Sequence, residues 1–166
     1  MLMDGYIPPK EEMLDLQLFD GYYFYDTTGM FRSGYGSPAI PVMQKDGLQM
    51  EGQGGLNTLF RAAASISHAH GLIYASTVIP GADNTCVHDF TGKPLYDGRP
   101  AVIVERVGGL TFNETWQASL DAGAEWITIT SWNELHEGTE IEPTLENGTF
   151  YIQLSKVWSQ NYHQVK

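Results

Sequence analysis

Asn133, Glu134, His136 and Glu137 fall within five positions and bring together an amide, two carboxyl groups and an imidazole. They follow Thr128-Ile129-Thr130-Ser131-Trp132, an apolar and β-branched run, and are followed by Gly138, where the chain can turn, and by Pro143, which ends the segment. That order predicts a strand delivering polar side chains at its C-terminal tip. The alternative is a solvated acidic loop behind an ordinary buried strand.

Two carboxyl groups at one place are what a glycosidase requires, one kept protonated as an acid and the other ionised. Mutual repulsion between close carboxylates separates their pKa values in that sense. His136 and Asn133 could hydrogen-bond sugar hydroxyls or fix the orientation of a glutamate. Glu134 and Glu137 lie three residues apart at one strand end, so both approach a substrate from nearly the same side. Direct nucleophilic attack needs carboxyls that flank the scissile bond. Two routes remain: the sugar's own hydroxyl, deprotonated by one carboxylate, displaces the leaving group, or a partner carboxylate comes from another strand. Metal and nucleophile chemistry find less support. There is no His-Glu-x-x-His, no Gly-x-Ser-x-Gly elbow, no Walker loop and no dinucleotide-binding glycine motif. The single cysteine, Cys86, excludes an internal disulfide and a cysteine-based zinc site. We therefore expect neither a metal nor a cofactor.

The elements that must position this tip can be read outward from it. A chain of 166 residues can hold one sizeable core, but an ordinary (β/α)8 barrel takes about 250 residues. Hydrophobic residues at 42% and charged residues at 17% make a globular composition. Nine Lys and Arg against twenty Asp and Glu leave a formal charge of -11 with no basic cluster. That field argues against nucleic acid and anionic membrane as partners, and suits a neutral ligand such as a carbohydrate. No stretch of about 18 apolar residues offers a membrane span. Aromatics reach 12%, compatible with sugar stacking, although core packing accounts for most of them.

Pro8-Pro9 and a short possible helix at Lys10 to Leu16 mark residues 1–17 as the tail of a preceding element. Phe19 to Asp26 reads as an aromatic buried strand with Tyr25 and Asp26 at its end. Residues 29–55, rich in glycine and proline, read as a long functional loop or a poorly ordered one. Leu56 to His70 has helical apolar spacing, and His68 and His70 on it point to different faces and cannot jointly hold a metal. Leu72 to Ile79 is a second strand with Asp83 and Asn84 past its tip; Thr111 to Ala122 is a helix with Thr111 or Asn113 as N-cap; Phe150 to Tyr162 is a last amphipathic helix. Strand and helix alternate without a hairpin signal between consecutive strands, which predicts a parallel sheet with its ligands at the strands' C-terminal ends.

The stretch from Ile129 to Pro143 reads ITSWNELHEGTEIEP. It resembles the signature of glycoside hydrolase family 99, the endo-α-mannosidases, typically ITSFNEWHEGTQIEP. Phe19-Asp20-Gly21 with Tyr23 and Tyr25 is similar to that family's FDGxYxY strand, and Val78-Ile79-Pro80-Gly81 to its xxPGY strand end. The order is the same from Leu18 to Tyr162. Leu135 stands where the signature has tryptophan, Ala82 where the family has tyrosine, and His88 where an arginine is expected. A related bacterial group attached to polysaccharide-synthesis enzymes has alanine at the place of His136, so His136 favours the hydrolases.

The resemblance implies an α/β fold, the C-terminal portion, about three βα units, of a (β/α)8 TIM-type barrel spanning residues 18–166. It implies a retaining glycosidase acting on α-mannosides or a related glycan, with an oligosaccharide or polysaccharide as its partner. Glu134 would act as base on the sugar 2-hydroxyl and Glu137 as acid and then base at the glycosidic oxygen, with no metal. Asn133, His136, Tyr25, Asp26 and Arg106 would contact substrate. Two other outcomes are weighed: a non-catalytic glycan-binding or polysaccharide-assembly module, and a truncated chain that is inactive. Three βα units also leave sheet edges through which the chain would self-associate.

Overall fold

The computed structural model describes residues 2–4, 19–25, 43–44, 47–50, 54–95 and 101–165. The elements in order are β1 (Leu2–Asp4), β2 (Gly21–Tyr23), β3 (Met43–Gln44), β4 (Gly47–Met50), β5 (Gly54–Gly55), α1 (Leu56–Ala69), β6 (Ile73–Val78), β7 (Ala82–Asp83), β8 (Ile103–Val104), α2 (Leu110–Asp121), β9 (Trp126–Ile129) and α3 (Phe150–Val165).

β1, β2, β6 and β9 form a sheet in that order, and every pair in it is parallel. The register sets Tyr22 beside Tyr74 and Thr77 beside Thr128. β6 lies between two strands and is buried from Tyr74 to Val78, which is why its sequence is a continuous apolar run rather than an alternating one. Side-chain alternation divides its two faces. On one, Tyr74 enters the helix-packed core, the Ser76 hydroxyl lies 2.7 Å from that of Ser119 on α2, and Val78 meets Phe112 and Trp116. On the other, Thr77 and Thr128 hydroxyls are 2.8 Å apart.

α1 buries Leu56, Leu59, Phe60, Ala63, Ala64 and Ser67, the stripe that its sequence spacing requires. Together with Tyr22, Tyr74, Ile79 and Val104 these make one core cluster. A second is aromatic. Phe112 on α2 meets Trp116 and Tyr151 edge-on with centroids 6.3 and 5.6 Å apart, and Trp116 stacks on Trp158 at 6.1 Å. This cluster fastens α3 to α2, and the Trp158 indole N–H adds a 2.8 Å bond to the Asn113 side chain. Among the described aromatics most lie in or against these two clusters, but Tyr25, Phe90, Trp126, Trp132 and Phe150 are exposed.

The parallel sheet agrees with the alternation read from the sequence, and it holds one strand more. Leu2–Asp4 pairs with β2 as an edge strand too short to carry a pattern. Within the glycine-rich stretch β3, β4 and β5 form a small antiparallel sheet, and β7 pairs antiparallel with β8. The expected caps of α2 are corrected. Gly109, in the left-handed region, is the N-cap, because the Thr111 hydroxyl is taken by the Glu105 carbonyl at 2.6 Å and Asn113 by Trp158. Asp26 and the expected helix at 10–16 lie outside the described residues. Among the described strands, β1 and β9 pair on one side only. No helix among the described residues is long and apolar enough to cross a membrane.

Below the strand starts, Glu125 fastens three elements. Its carboxylate accepts from the Tyr74 backbone N–H at 2.9 Å and meets His68 Nε2 at 2.9 Å, while its carbonyl accepts from the Tyr162 hydroxyl. Burial pushes its carboxyl pKa up, but the bonds from Tyr74 and His68 outweigh that and leave it below its ordinary 4.5. A lowered carboxyl pKa stabilises the fold above the unfolded value, and that contribution disappears as pH falls through the folded value. Wild type should therefore lose more thermal stability than Glu125→Gln when pH is taken from 6 to below about 4.5; parallel melting curves for the two proteins would contradict this. Phe112→Ala should cost about 3–5 kcal/mol in denaturant unfolding, because a fully buried ring joining α2 to α3 is removed. A loss under about 1 kcal/mol would show that the aromatic cluster is not what docks α3.

Candidate active site

The loop that leaves β9 folds back on itself. Ser131 N–H donates to the Thr139 carbonyl at 2.8 Å, the two side-chain hydroxyls are 2.8 Å apart, and Ile141 and Glu142 N–H donate to the carbonyls of Ser131 and Trp132. Thr130, Ser131, Thr139 and Glu140 are buried by this closure, while Trp132, Asn133, Leu135 and His136 are exposed at its tip. Between the closed ends, Glu134 N–H donates to Ser131 Oγ at 3.0 Å, and Leu135–Glu137 form one tight turn ended by Gly138. Gly138 has φ +61, and a Cβ there would lie 2.7 Å from the Asp83 backbone nitrogen, so conformation and space both demand glycine.

The turn places Glu134, His136 and Glu137 together, with donor atoms all within 4.8 Å of one another. His136 Nε2 is 3.3 Å from Glu134, and their side chains are 58% and 38% exposed. The two carboxyl groups share one small space at the C-terminal end of a parallel strand, the location at which such sheets bind ligands. Among the described residues this trio is also the group whose spacing could hold a cation; exposed acidic clusters of this kind are common without one.

Asn133 stands beside the trio with its side chain exposed, and its carbonyl accepts from Leu135 N–H at 2.8 Å. Tyr25 ends β2 with its ring exposed, and its carbonyl accepts from the Thr130 hydroxyl at 2.6 Å, which ties β2 to the base of the loop. Arg106 is placed differently from the other five described residues of the expected site. One terminal nitrogen, Nη2, donates to the carbonyls of Gly138 and Glu140, each at 3.0 Å, and to the Glu140 carboxylate at 2.7 Å. Its guanidinium lies 4.7 Å from the Tyr151 ring centre. Asp83, at the tip after β6, accepts from Thr85 and caps the short turn at Asn84–Cys86.

A groove of about 990 Å3 opens along the loop, lined by Asp83, Arg106, Leu135, Glu140, Glu142 and Tyr151 among others; Glu134 and Glu137 do not line it. This groove and the paired carboxylates are therefore separate features of one loop. Glu140 and Tyr151 were not singled out from the sequence. Acidic residues are rarely buried without a partner, and the partner of Glu140, Arg106, is distant in sequence.

No family model matches the chain. A human glycoprotein endo-alpha-1,2-mannosidase-like protein is 25% identical over 64% of this chain and 25% of its own length. The Xenopus laevis glycoprotein endo-alpha-1,2-mannosidase is 24% identical over 89% of this chain and 30% of its own. The solved GH99 endo-alpha-mannosidase of Bacteroides thetaiotaomicron superposes with a TM-score of 0.64 at 20% identity, over 99% of this chain and 45% of that one. The chain thus spans about a quarter to a third of the curated relatives and less than half of the solved enzyme. In sequence and in fold, the chain is similar over part of their length to the endo-α-mannosidases of glycoside hydrolase family 99.

Proposed function

We propose that this chain carries the paired carboxylates of a retaining glycosidase that cleaves α-mannosides or a related glycan with help from the sugar 2-hydroxyl. The observation that carries the reading is the presentation of Glu134 and Glu137 on one tight turn, within 4.8 Å of each other and of His136. An approach within 4.8 Å lies under the wider spacing of inverting enzymes, about 6.5–9.5 Å, and close to the spacing of about 5–5.5 Å found in retaining ones. The attacking O2 and the leaving oxygen of an α-mannoside point to opposite faces but sit on adjacent carbons, so two carboxyls on one turn can serve both from the C1–C2 edge of the sugar.

In the first step Glu134, as carboxylate, takes the proton of the 2-hydroxyl, O2 attacks C1, and the C1–O bond to the leaving group breaks as Glu137 protonates that oxygen. In the second, Glu137 as carboxylate takes a proton from water, the water oxygen attacks C1, the C1–O2 bond breaks, and O2 recovers its proton from Glu134. Two inversions at C1 give net retention. Asn133 and His136 stand beside the pair and, with Tyr25 at the end of β2, would contact the sugar's other hydroxyls; Asp26, next in the chain after Tyr25, is carried as a further contact. The acidic field, -11 overall, suits a neutral ligand. The four parallel strands are read as half of a (β/α)8 barrel, so the remaining strands would enclose the turn from the sides where β1 and β9 have no described neighbour.

One observation favours a second reading, a glycan-binding module without turnover. A catalytic acid is kept protonated by an enclosed, apolar setting, whereas Glu137 is only half-buried, with side-chain exposures of 38% at Glu134 and 58% at His136 beside it. Reducing-end release from α-mannan oligosaccharides, measured beside calorimetric binding, separates the two. The glycosidase reading predicts turnover in wild type and a loss of at least ~100-fold in Glu137→Gln with binding retained. Undiminished turnover in the variant, or binding by wild type with no new reducing ends, would defeat it.

A further inference from the structure

Arg106 was read from the sequence as a substrate contact, but its surroundings give it another task. Its side chain is held before it reaches the loop. The Glu105 carbonyl is fixed by the Thr111 hydroxyl at 2.6 Å, and the chain turns sharply after Arg106 through Val107, Gly108 and Gly109 at φ 45, 60 and 92. A β-branched residue at positive φ is an unfavourable conformation that persists only where the surroundings impose it. Beneath the stem, Gly81 leaves the space that Arg106 uses: a Cβ on Gly81 would lie 2.5 Å from Arg106 Cγ and 2.8 Å from the Val104 carbonyl. The far end lies against the Tyr151 ring at 4.7 Å, on the first turn of α3.

From that fixed stem, Nη2 reaches across the groove wall to the carbonyls of Gly138 and Glu140 and to the Glu140 carboxylate. The two carbonyls bracket Thr139, whose own hydroxyl and carbonyl close the loop on Ser131. Gly138 directly follows Glu137. Its orientation is thus set on one side by Glu134, whose carbonyl accepts Glu137 N–H at 3.1 Å, and on the other by a charged donor from the β8–α2 connection. Charge-assisted bonds are shorter and roughly twice as strong as neutral ones, and the pair is mostly withdrawn from water, with side-chain exposures of 20% and 9%.

We propose that Arg106, paired with Glu140, is a positioning residue that holds the Gly138–Glu140 backbone and thereby fixes Glu137 relative to Glu134, without itself touching substrate. The proposal rests on the glycosidase reading for its catalytic consequence, and on geometry alone for the clamp. A misplacement of about 1 Å in a reacting group can cost about 100-fold in rate. The planar fork of arginine is not reproduced by lysine, while Glu140→Gln keeps an acceptor for Nη2 without the charge.

The test compares wild type, Arg106→Lys and Glu140→Gln in two measurements. Hydrogen exchange, followed by mass spectrometry on peptides covering 131–142 and on α1 peptides as control, reads the clamp without needing turnover. Steady-state kinetics on an α-mannan oligosaccharide read its consequence. The expected result is faster exchange at 131–142 in Arg106→Lys with α1 unchanged, a kcat lowered at least ~10-fold with KM within about twofold, and an intermediate kcat in Glu140→Gln. Unchanged exchange at 131–142 in Arg106→Lys overturns the clamp whether or not the protein turns over. Unchanged kcat, or a loss carried by KM alone, overturns the positioning role in an active wild type. An inactive wild type with faster exchange in Arg106→Lys would uphold the clamp and remove only the glycosidase reading.

Discussion

The structure depends at its functional end on the way one loop closes over its own neck. Ser131 and Thr139 exchange a backbone bond and a hydroxyl contact, and Ile141 and Glu142 return their N–H groups to Ser131 and Trp132. Ser131 and Thr139 are only eight positions apart, so the intervening chain has little freedom, and the entropy of ordering the carboxylates is met during folding rather than on ligand binding. The strand beneath supplies the footing. β9 is registered against β6, and β6 is buried between sheet neighbours and helices, so the loop's base moves only if the core moves.

Much of this was legible in the sequence, for identifiable reasons. The continuous apolar run of β6 and the Leu56, Leu59, Phe60, Ala63 stripe of α1 are deep-core features, where burial overrides weaker preferences. The carboxylate pair and its histidine were legible because local sequence alone places them on one turn. Contacts between distant segments were not. β1 is three residues long, β7 and β8 are two each, and elements that short leave no periodic trace. The N-cap of α2 went to Gly109 because Thr111 and Asn113 were engaged by Glu105 and Trp158, partners that no local rule names. Arg106 and Glu140 pair across 34 positions, a contact that no local pattern announces.

The division of labour follows from these placements. The helix-packed face of the sheet and the aromatic cluster around Phe112 provide stability. The opposite end of the strands presents polar groups from three separate connections: Tyr25 after β2, Asp83 after β6, and the trio after β9. Asp83 and Arg106 both contact the loop, one packing its backbone against Gly138 and the other bonding the carbonyls around Thr139. Asn133 and His136 stay exposed and Glu134 and Glu137 are partly covered, which leaves these four accessible to a ligand.

The central claim is that Glu134 and Glu137 cleave a mannosidic bond through the sugar's own 2-hydroxyl. Its most direct test is the anomer released first, followed by proton NMR before mutarotation, from an α-mannan oligosaccharide incubated with the protein. The account predicts the α-hemiacetal as initial product, as two inversions at C1 require. The β-hemiacetal appearing first, or no new reducing end at all, would contradict it.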